Sequence, residues 1–226
     1  MKKYKTKFGK LILNTAASEA SAVSDFIVSD NYLNLPSESK MALKNPRSEV
    51  WKIDVPNVGC CILKRFCVVK NRGLSRYIES NFKLRFVHRG LRTMQLALKL
   101  SDAGINTFTP YAFWTDSRGG ISNYLLYKYI EGEIVGDHWM GELGAIAPPS
   151  KADEPLTDEE LNKFMILSGK LVRQMHEAGV LHTDLHPKNF VSPSRLENST
   201  YLSLIDLDSA CVPIKLYYRM SFVLRI

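Results

Sequence analysis

The residues best suited to chemistry lie in the stretch Leu181–Phe190 and in the short segment Leu204–Asp208 that follows it. Asp184 is followed five residues later by Asn189, and Asp206 stands at the end of an apolar run. Phosphoryl transfer needs a carboxylate that accepts the proton of a hydroxyl nucleophile, and oxygen ligands that hold Mg²⁺ against the phosphate. At the spacing of the kinase catalytic loop and its DFG-like turn, Asp184 is the candidate base, and Asn189 and Asp206 are the candidate metal ligands. The pattern predicts a kinase that uses ATP and Mg²⁺.

A small β-rich lobe upstream would have to hold the nucleotide. Trp51, Ile53 and Val55 alternate with polar residues, and the strand-like segment Cys60–Phe66 follows a turn. Such antiparallel strands, ending in an apolar-apolar-Lys segment, begin the small lobe of a kinase, so Lys64 is the candidate partner of the α and β phosphates. The alternative is a solvent-facing strand lysine. The first hairpin lacks the G-x-G-x-x-G glycines, so its phosphate contacts would come from backbone amides or from Lys44, Asn45, Arg47 and Ser48.

A helix over residues 88 to 103 follows, with Leu91, Met94 and Leu98 at helical spacing and Gly104 as its C-terminal stop. A protein kinase would carry a glutamate here to pair with its lysine. Apart from Asp102 in the last turn, this helix has only basic and neutral side chains. Glu79 is the nearest upstream carboxylate, and the sequence does not decide whether it substitutes.

A second hairpin, from Tyr111 to Gly132, would complete a five-stranded lobe and lead the chain into the hinge. Backbone groups near Lys128 and Ile130 would then bind adenine, and Glu131 or Glu133 would meet the ribose. Each of these residues could equally stand at an ordinary strand end.

The second half of the chain reads as a mainly helical lobe. Residues 136 to 156 form a loop-rich insertion, and Thr157–Glu160 is a capping box that opens a long amphipathic helix ending at Gly179. We therefore predict an α+β, bilobal, protein-kinase-like fold with a small antiparallel N-lobe and a short C-lobe. Its divisions are a lead-in over residues 1–40, an N-lobe over 41–130 and a C-lobe over 131–226. Only 18 residues follow Asp208, so the C-lobe is either minimal or incomplete.

The composition indicates the cellular compartment and the charge of possible partners. The four cysteines form no C-x-x-C pair, which favours a reducing, cytoplasmic environment, and we expect neither a signal peptide nor a membrane span.

Residues 1 to 100 carry 19 Lys and Arg against 7 Asp and Glu, although the whole chain has a net charge of only +7. A basic stretch interleaved with aromatic residues runs from Lys70 to Lys99 and suits an anionic partner: phospholipid headgroups, a phosphorylated glycolipid or nucleic acid. It could also be a solvated face without a partner. No nucleic-acid recognition motif is present.

From about Leu43 to Ala210 the chain resembles the lipopolysaccharide kinases, the family of Kdo kinases and core heptose kinases. The residues that carry the resemblance are Leu63–Arg65, Ala103–Thr107, Tyr129–Gly132, His182–Phe190 and Ile205–Asp208. It implies transfer of the ATP γ-phosphate to a sugar hydroxyl of the inner core, at the cytoplasmic face of the inner membrane. It also implies that Asp184 is the base, that Asn189 and Asp206 are metal ligands, and that Lys64 pairs with phosphate.

Two other functional classes remain open. His186 stands where protein kinases place a lysine, and the motif D-L-H-P-x-N is shared with aminoglycoside and choline phosphotransferases. Such enzymes would more often line their pocket with carboxylates to hold a cationic acceptor. The missing helix glutamate and the glycine-poor hairpin also allow a kinase-shaped binding protein without turnover. The sequence names neither the sugar position nor the oligomeric state.

Overall fold

The structure is a computed structural model that describes residues 1–6, 9–14, 19–35, 40–41, 48–66, 88–118, 122–139 and 156–213. The predicted contacts of Lys44, Asn45, Arg47 and Glu79, most of the basic stretch from Lys70 to Lys99, and most of the insertion lie outside these residues. The chain divides into two compact units. Unit 1 combines Met1–Gln95 with Thr109–Tyr129, and unit 2 combines Leu96–Phe108 with Ile130–Ile226.

Unit 1 is built on a seven-stranded antiparallel sheet. Its strands are β1 (Lys2–Thr6), β2 (Gly9–Leu13), β3 (Lys40–Met41), β4 (Ser48–Val55), β5 (Gly59–Phe66), β6 (Pro110–Asp116) and β7 (Ser122–Lys128). They lie in the order β1-β2-β6-β7-β5-β4-β3. The predicted five strands, β3 to β7, are present. The lead-in predicted for residues 1–40 instead contributes two more strands, with Leu11 to Leu13 paired to Ala112 to Trp114 of β6.

One face of this sheet is covered by helix α1 (Ala20–Val28). Val23, Phe26 and Ile27 of α1 pack in one buried cluster with side chains of β2, β4, β5, β6 and β7. Tyr32, in a 3-10 turn after α1, joins them with its ring 5.1 Å from Trp114 and 5.0 Å from Tyr124. Burial of these apolar side chains is the main source of stability for the unit.

The other face meets the start of helix α2 (Arg89–Asp102). A Cβ added at Gly90 would lie 2.9 Å from the Phe66 ring and 3.1 Å from the Phe113 ring, so glycine allows the helix to approach the sheet closely. Side chains alternate along a strand, and therefore Lys64 and Phe66 point to this same face. The predicted helix over residues 88 to 103 agrees with α2 to within a residue at each end.

Unit 2 contains helices α3 (Val135–Trp139) and α4 (Asp158–Glu177). Its strands are short: β8 (Glu133–Ile134), β9 (Leu181–His182), β10 (Phe190–Ser192), β11 (Ser203–Leu204) and β12 (Ala210–Cys211). The capping box predicted at Thr157 is present, with the Glu160 carboxylate accepting the Thr157 backbone N–H at 2.9 Å. Phe164 of α4 meets Phe190 of β10 edge to face at 5.4 Å. No described helix has the length and apolar character of a membrane span.

Candidate active site

The loop between β9 and β10 carries the candidate base. Asp184 is exposed and lies in a turn after β9, whereas Asn189 is 2 % exposed and closes the 3-10 turn Pro187–Asn189. The Asn189 side-chain oxygen accepts the His186 backbone N–H at 3.0 Å, and its backbone oxygen accepts the Ile205 N–H at 2.8 Å. Asn189 is thus held by the loop before it and by the segment that leads to Asp206.

Asp206 occupies an unusual backbone position. Its φ of 55° and ψ of 57° are left-handed, a region that aspartate tolerates better than most residues but that still costs free energy. Its side chain is exposed, and the 3-10 turn Leu207–Ser209 begins directly after it. Non-glycine residues in such a conformation cluster at functional sites, where the surrounding structure holds them.

His182 links the two carboxylate-bearing segments. The Asp184 backbone N–H donates to Nδ1 of His182 at 3.3 Å, so Nδ1 carries no proton and the ring proton is on Nε2. Nε2 in turn donates to the Asp206 backbone oxygen at 3.0 Å. The imidazole therefore bridges the loop that carries the candidate base and the turn that carries a candidate metal ligand. Sequence reasoning treated His182 only as part of the motif and missed this bridge.

Strand pairing reinforces the same junction. β9 and β12 pair antiparallel, with His182 opposite Ala210, and the Thr183 hydroxyl donates to the Ser209 oxygen at 2.9 Å. β11 is tied to the loop after α2, because the Thr107 hydroxyl donates to the Leu204 oxygen at 2.8 Å. Hydrogen bonds thus connect the segments of unit 2 that carry Asp184, Asn189 and Asp206.

The remaining predicted nucleotide residues are Lys64 and Lys128 in unit 1, and Ile130 and Glu131 in unit 2. Lys64 is only 7 % exposed, with its Nζ 5.6 Å from the Phe66 ring centroid, so it is not a solvent-facing strand lysine. The Lys128 backbone N–H already donates to the Thr109 oxygen at 2.9 Å. Ile130 is partly exposed and Glu131 is exposed.

The candidate ligands suit Mg²⁺, although they would fill only part of its coordination shell. Asn189 and Asp206 offer the hard oxygen ligands that Mg²⁺ prefers. No cluster of three or more His, Cys, Asp or Glu side chains capable of holding a metal occurs among the described residues. Mg²⁺ in kinase sites takes one or two protein oxygens and completes its shell with phosphate and water, so the residues present fit the ion.

One segment in the second half of the chain is similar to lipopolysaccharide kinases. Residues 149–215 match the model of the lipopolysaccharide kinase (Kdo/WaaP) family. The resemblance predicted from the sequence is confirmed over this segment.

One curated protein shares sequence over a longer stretch. The KEOPS complex subunit Bud32 of Pyrococcus abyssi (strain GE5 / Orsay) is 29% identical over 126 residues, which cover 55% of this chain and 48% of that protein. The chain therefore spans about half the length of this curated relative.

Solved structures extend the likeness to most of the chain. The structure described as WaaP in complex with acyl carrier protein has a TM-score of 0.51 and 16% identity, and covers 90% of this chain and 73% of that chain. A co-crystal structure of WbdD and the kinase inhibitor LY294002 has a TM-score of 0.47 and 17% identity, and covers 80% of this chain and 35% of that chain. The likeness to WaaP confirms the protein-kinase-like α+β fold.

Proposed function

We propose that this protein is an ATP-dependent phosphotransferase that moves the γ-phosphate of ATP to a sugar hydroxyl of the lipopolysaccharide inner core, on Kdo or on heptose. The observation that carries the proposal is the His182 bridge, which ties the Asp184 loop to the Asp206 turn within the segment that matches the Kdo/WaaP family. A kinase needs its base and its metal ligands on segments that are fixed relative to one another.

In this proposal Asp184 is the general base. Its exposed carboxylate accepts the proton of the acceptor hydroxyl while that oxygen forms a bond to the γ-phosphorus and the bond from phosphorus to the leaving ADP oxygen breaks. Because the Asp184 backbone N–H donates to Nδ1 of His182, the orientation of Asp184 depends on the position of this imidazole.

The cofactors of the proposed reaction are ATP and Mg²⁺. Asn189 and Asp206 would hold the ion, which when bound neutralises charge on the β and γ phosphates. Lys64 would pair with the α and β phosphates, and the low exposure of this residue favours that role over a solvent-facing one. Backbone groups near Lys128 and Ile130 would meet adenine, and Glu131 would meet the ribose. Since the Lys128 amide is already bonded to Thr109, its carbonyl is the better candidate.

We also infer a location at the cytoplasmic face of the inner membrane, where such an acceptor would be met. The support lies in the N-terminal edge strand β1, whose side chains Lys2, Lys3 and Lys5 are exposed. Lys5 lies directly opposite Lys10 of β2, and like charges at such a position repel each other. An anionic lipid surface would relieve this repulsion.

The decisive experiment compares phosphate transfer from Mg-ATP to Kdo-lipid A, to a heptosylated core and to kanamycin. We expect one of the first two to gain phosphate. Asp184→Asn should reduce kcat by about a hundredfold or more, the range of general-base catalysis, while nucleotide affinity stays nearly unchanged. Transfer to kanamycin alone would favour an aminoglycoside phosphotransferase. Transfer retained by Asp184→Asn would remove Asp184 from the base role, and the absence of nucleotide binding would favour a protein without turnover.

A further inference from the structure

Lys188 is the one lysine or arginine in the segment Leu181–Ser192. It lies four residues after Asp184 and directly before the buried Asn189, in the 3-10 turn of the candidate catalytic loop. The carboxylates of Asp184 and Asp206 give the neighbouring segments negative charge, and both side chains are exposed. An anionic acceptor that approached these carboxylates would be repelled unless a cation offset the charge.

The stem of Lys188 is fixed by a close contact with α3. A Cβ added at Gly136 would lie 2.4 Å from Cγ and 2.5 Å from the backbone nitrogen of Lys188, so the glycine backbone rests directly on that residue. Any larger side chain at position 136 would displace the loop or the lysine. Gly136 therefore lets α3 hold Lys188 in one place.

The ammonium of Lys188 is oriented by Asp137 and keeps donors for a second partner. Nζ lies 3.7 Å from Oδ1 of Asp137, and the two side chains are 48% and 39% exposed. An ion pair at this distance and exposure contributes little stability. An ammonium has three donors, so Lys188 can remain near Asp137 and still donate to a second anion.

We propose that Lys188 is a specificity-determining residue that binds a phosphate or carboxylate group on the acceptor sugar, with Asp137 orienting its ammonium. The inference rests on the proposed kinase function and names the acceptor class as anionic. A cationic acceptor such as an aminoglycoside would be repelled by Lys188.

The test measures binding separately from transfer. The probes are a heptose phosphate and the same heptose without phosphate, each titrated calorimetrically in the presence of Mg²⁺ and a non-hydrolysable ATP analogue. We expect the full chain to prefer the phosphorylated sugar by about tenfold or more, the usual effect of a charge-assisted hydrogen bond, and Lys188→Ala to abolish this preference. The matched control is Lys170→Ala, an exposed lysine of α4, which should leave the preference intact.

A second variant tests the orienting role of Asp137. Asp137→Asn removes the carboxylate that orients the Lys188 ammonium, so affinity for the phosphorylated sugar should fall by about twofold to fivefold, the range of an exposed ion pair. Nucleotide affinity, titrated in parallel, should not change in either variant.

Three results would overturn the assignment: an unchanged preference in Lys188→Ala, an equal loss for both sugars, or a loss of nucleotide affinity alone. If Asp137→Asn left the affinity for the phosphorylated sugar unchanged or raised it, the orienting role of Asp137 would be wrong. Failure of the proposed function has a different signature. In that case the wild-type chain would transfer phosphate to neither lipopolysaccharide-core acceptor, whatever its preference in binding.

Discussion

Replacing Asp116 by Asn should destabilise unit 1 more than any other single charge removal in its cluster. Asp116 is 3% exposed and ends β6. It accepts hydrogen bonds from the Tyr32 hydroxyl at 2.7 Å, from the Arg118 backbone N–H at 2.8 Å and from the Arg118 guanidinium at 2.9 Å. An asparagine would keep the shape, but would lose the charge and turn one acceptor into a donor that faces donors.

The expected size follows from these contacts. Breaking a buried ion pair costs about 3–5 kcal/mol, and a hydrogen bond to a charged group contributes about 1.5–3 kcal/mol. The Arg118 side chain is 30% exposed and keeps Asp30 as a partner at 2.8 Å, which places the expected loss near the lower end, at about 2–3 kcal/mol. At this chain length, 1 kcal/mol shifts Tm by about 2–4 °C, so Tm should fall by about 4–12 °C.

Asp30→Asn is the matched control in the same cluster. Asp30 is 36% exposed, and its left-handed φ of 60° is one that asparagine also tolerates. Loss of this exposed pair should cost about 1 kcal/mol or less. Urea unfolding at neutral pH measures both variants. Equal losses, or a loss below about 0.5 kcal/mol for Asp116→Asn, would refute the assigned burial penalty.

The same carboxylate gives a pH dependence with a definite sign. Burial raises the pKa of Asp116, but hydrogen bonds from Arg118 and Tyr32 and the positive charge of Arg118 outweigh it, so the pKa is lower than its ordinary value. A carboxyl with a depressed pKa in the folded state contributes stability above its unfolded pKa of about 3.9, and that contribution is lost as the pH falls through the folded value. The stability difference between wild type and Asp116→Asn should therefore be constant above about pH 5 and shrink below about pH 4. A difference that grew on acidification would contradict the assignment.

Two further predictions test the loop geometry and the basic edge. Gly132→Ala should destabilise the protein by about 2–4 kcal/mol, because the φ of Gly132 is 139° and the added Cβ would lie 2.2 Å from the Ser192 backbone oxygen. Gly169→Ala in α4 is the control. No heavy atom lies within 4 Å of a Cβ added there, so this variant should stabilise the protein by about 0.5–1 kcal/mol. Thermal unfolding of both variants measures this, and shifts of the same sign would contradict the geometry. The double variant Lys5→Glu with Lys10→Glu should weaken co-sedimentation with phosphatidylglycerol vesicles by more than about tenfold, whereas Lys170→Glu should not. Equal binding by both variants would remove the edge strand from the proposed membrane contact.

Local signals explain what the sequence predicts well. The capping box at Thr157 and the glycine at 179 bound α4, and Gly104 follows the end of α2 at Asp102. These elements are specified by residues within a few positions of one another, so the sequence displays them directly. The spacing of Asp184 and Asn189 is local in the same sense, because both lie in the loop between β9 and β10.

Non-local contacts explain what the sequence leaves undetermined. β1 reads as a run of lysines without apolar alternation, because it is an edge strand whose lysine side chains are exposed. Tyr32 lies in a segment rich in turn residues, yet it is buried with its ring edge to face against the stacked rings of Trp114 and Tyr124. The Arg118–Asp30 pair joins residues 88 positions apart. Only the folded sheet brings such groups together, so no window of sequence contains the signal.

The position of Lys64 shows how strand periodicity and burial combine into a functional argument. Period two places Lys64 on the face of Phe66, the face that the start of α2 covers, and the side chain is 7 % exposed. An ammonium removed from water is retained only where anions or acceptors offset its desolvation. Low exposure and a position on the face that the start of α2 covers are therefore the two observations that support the proposed phosphate-pairing role of Lys64.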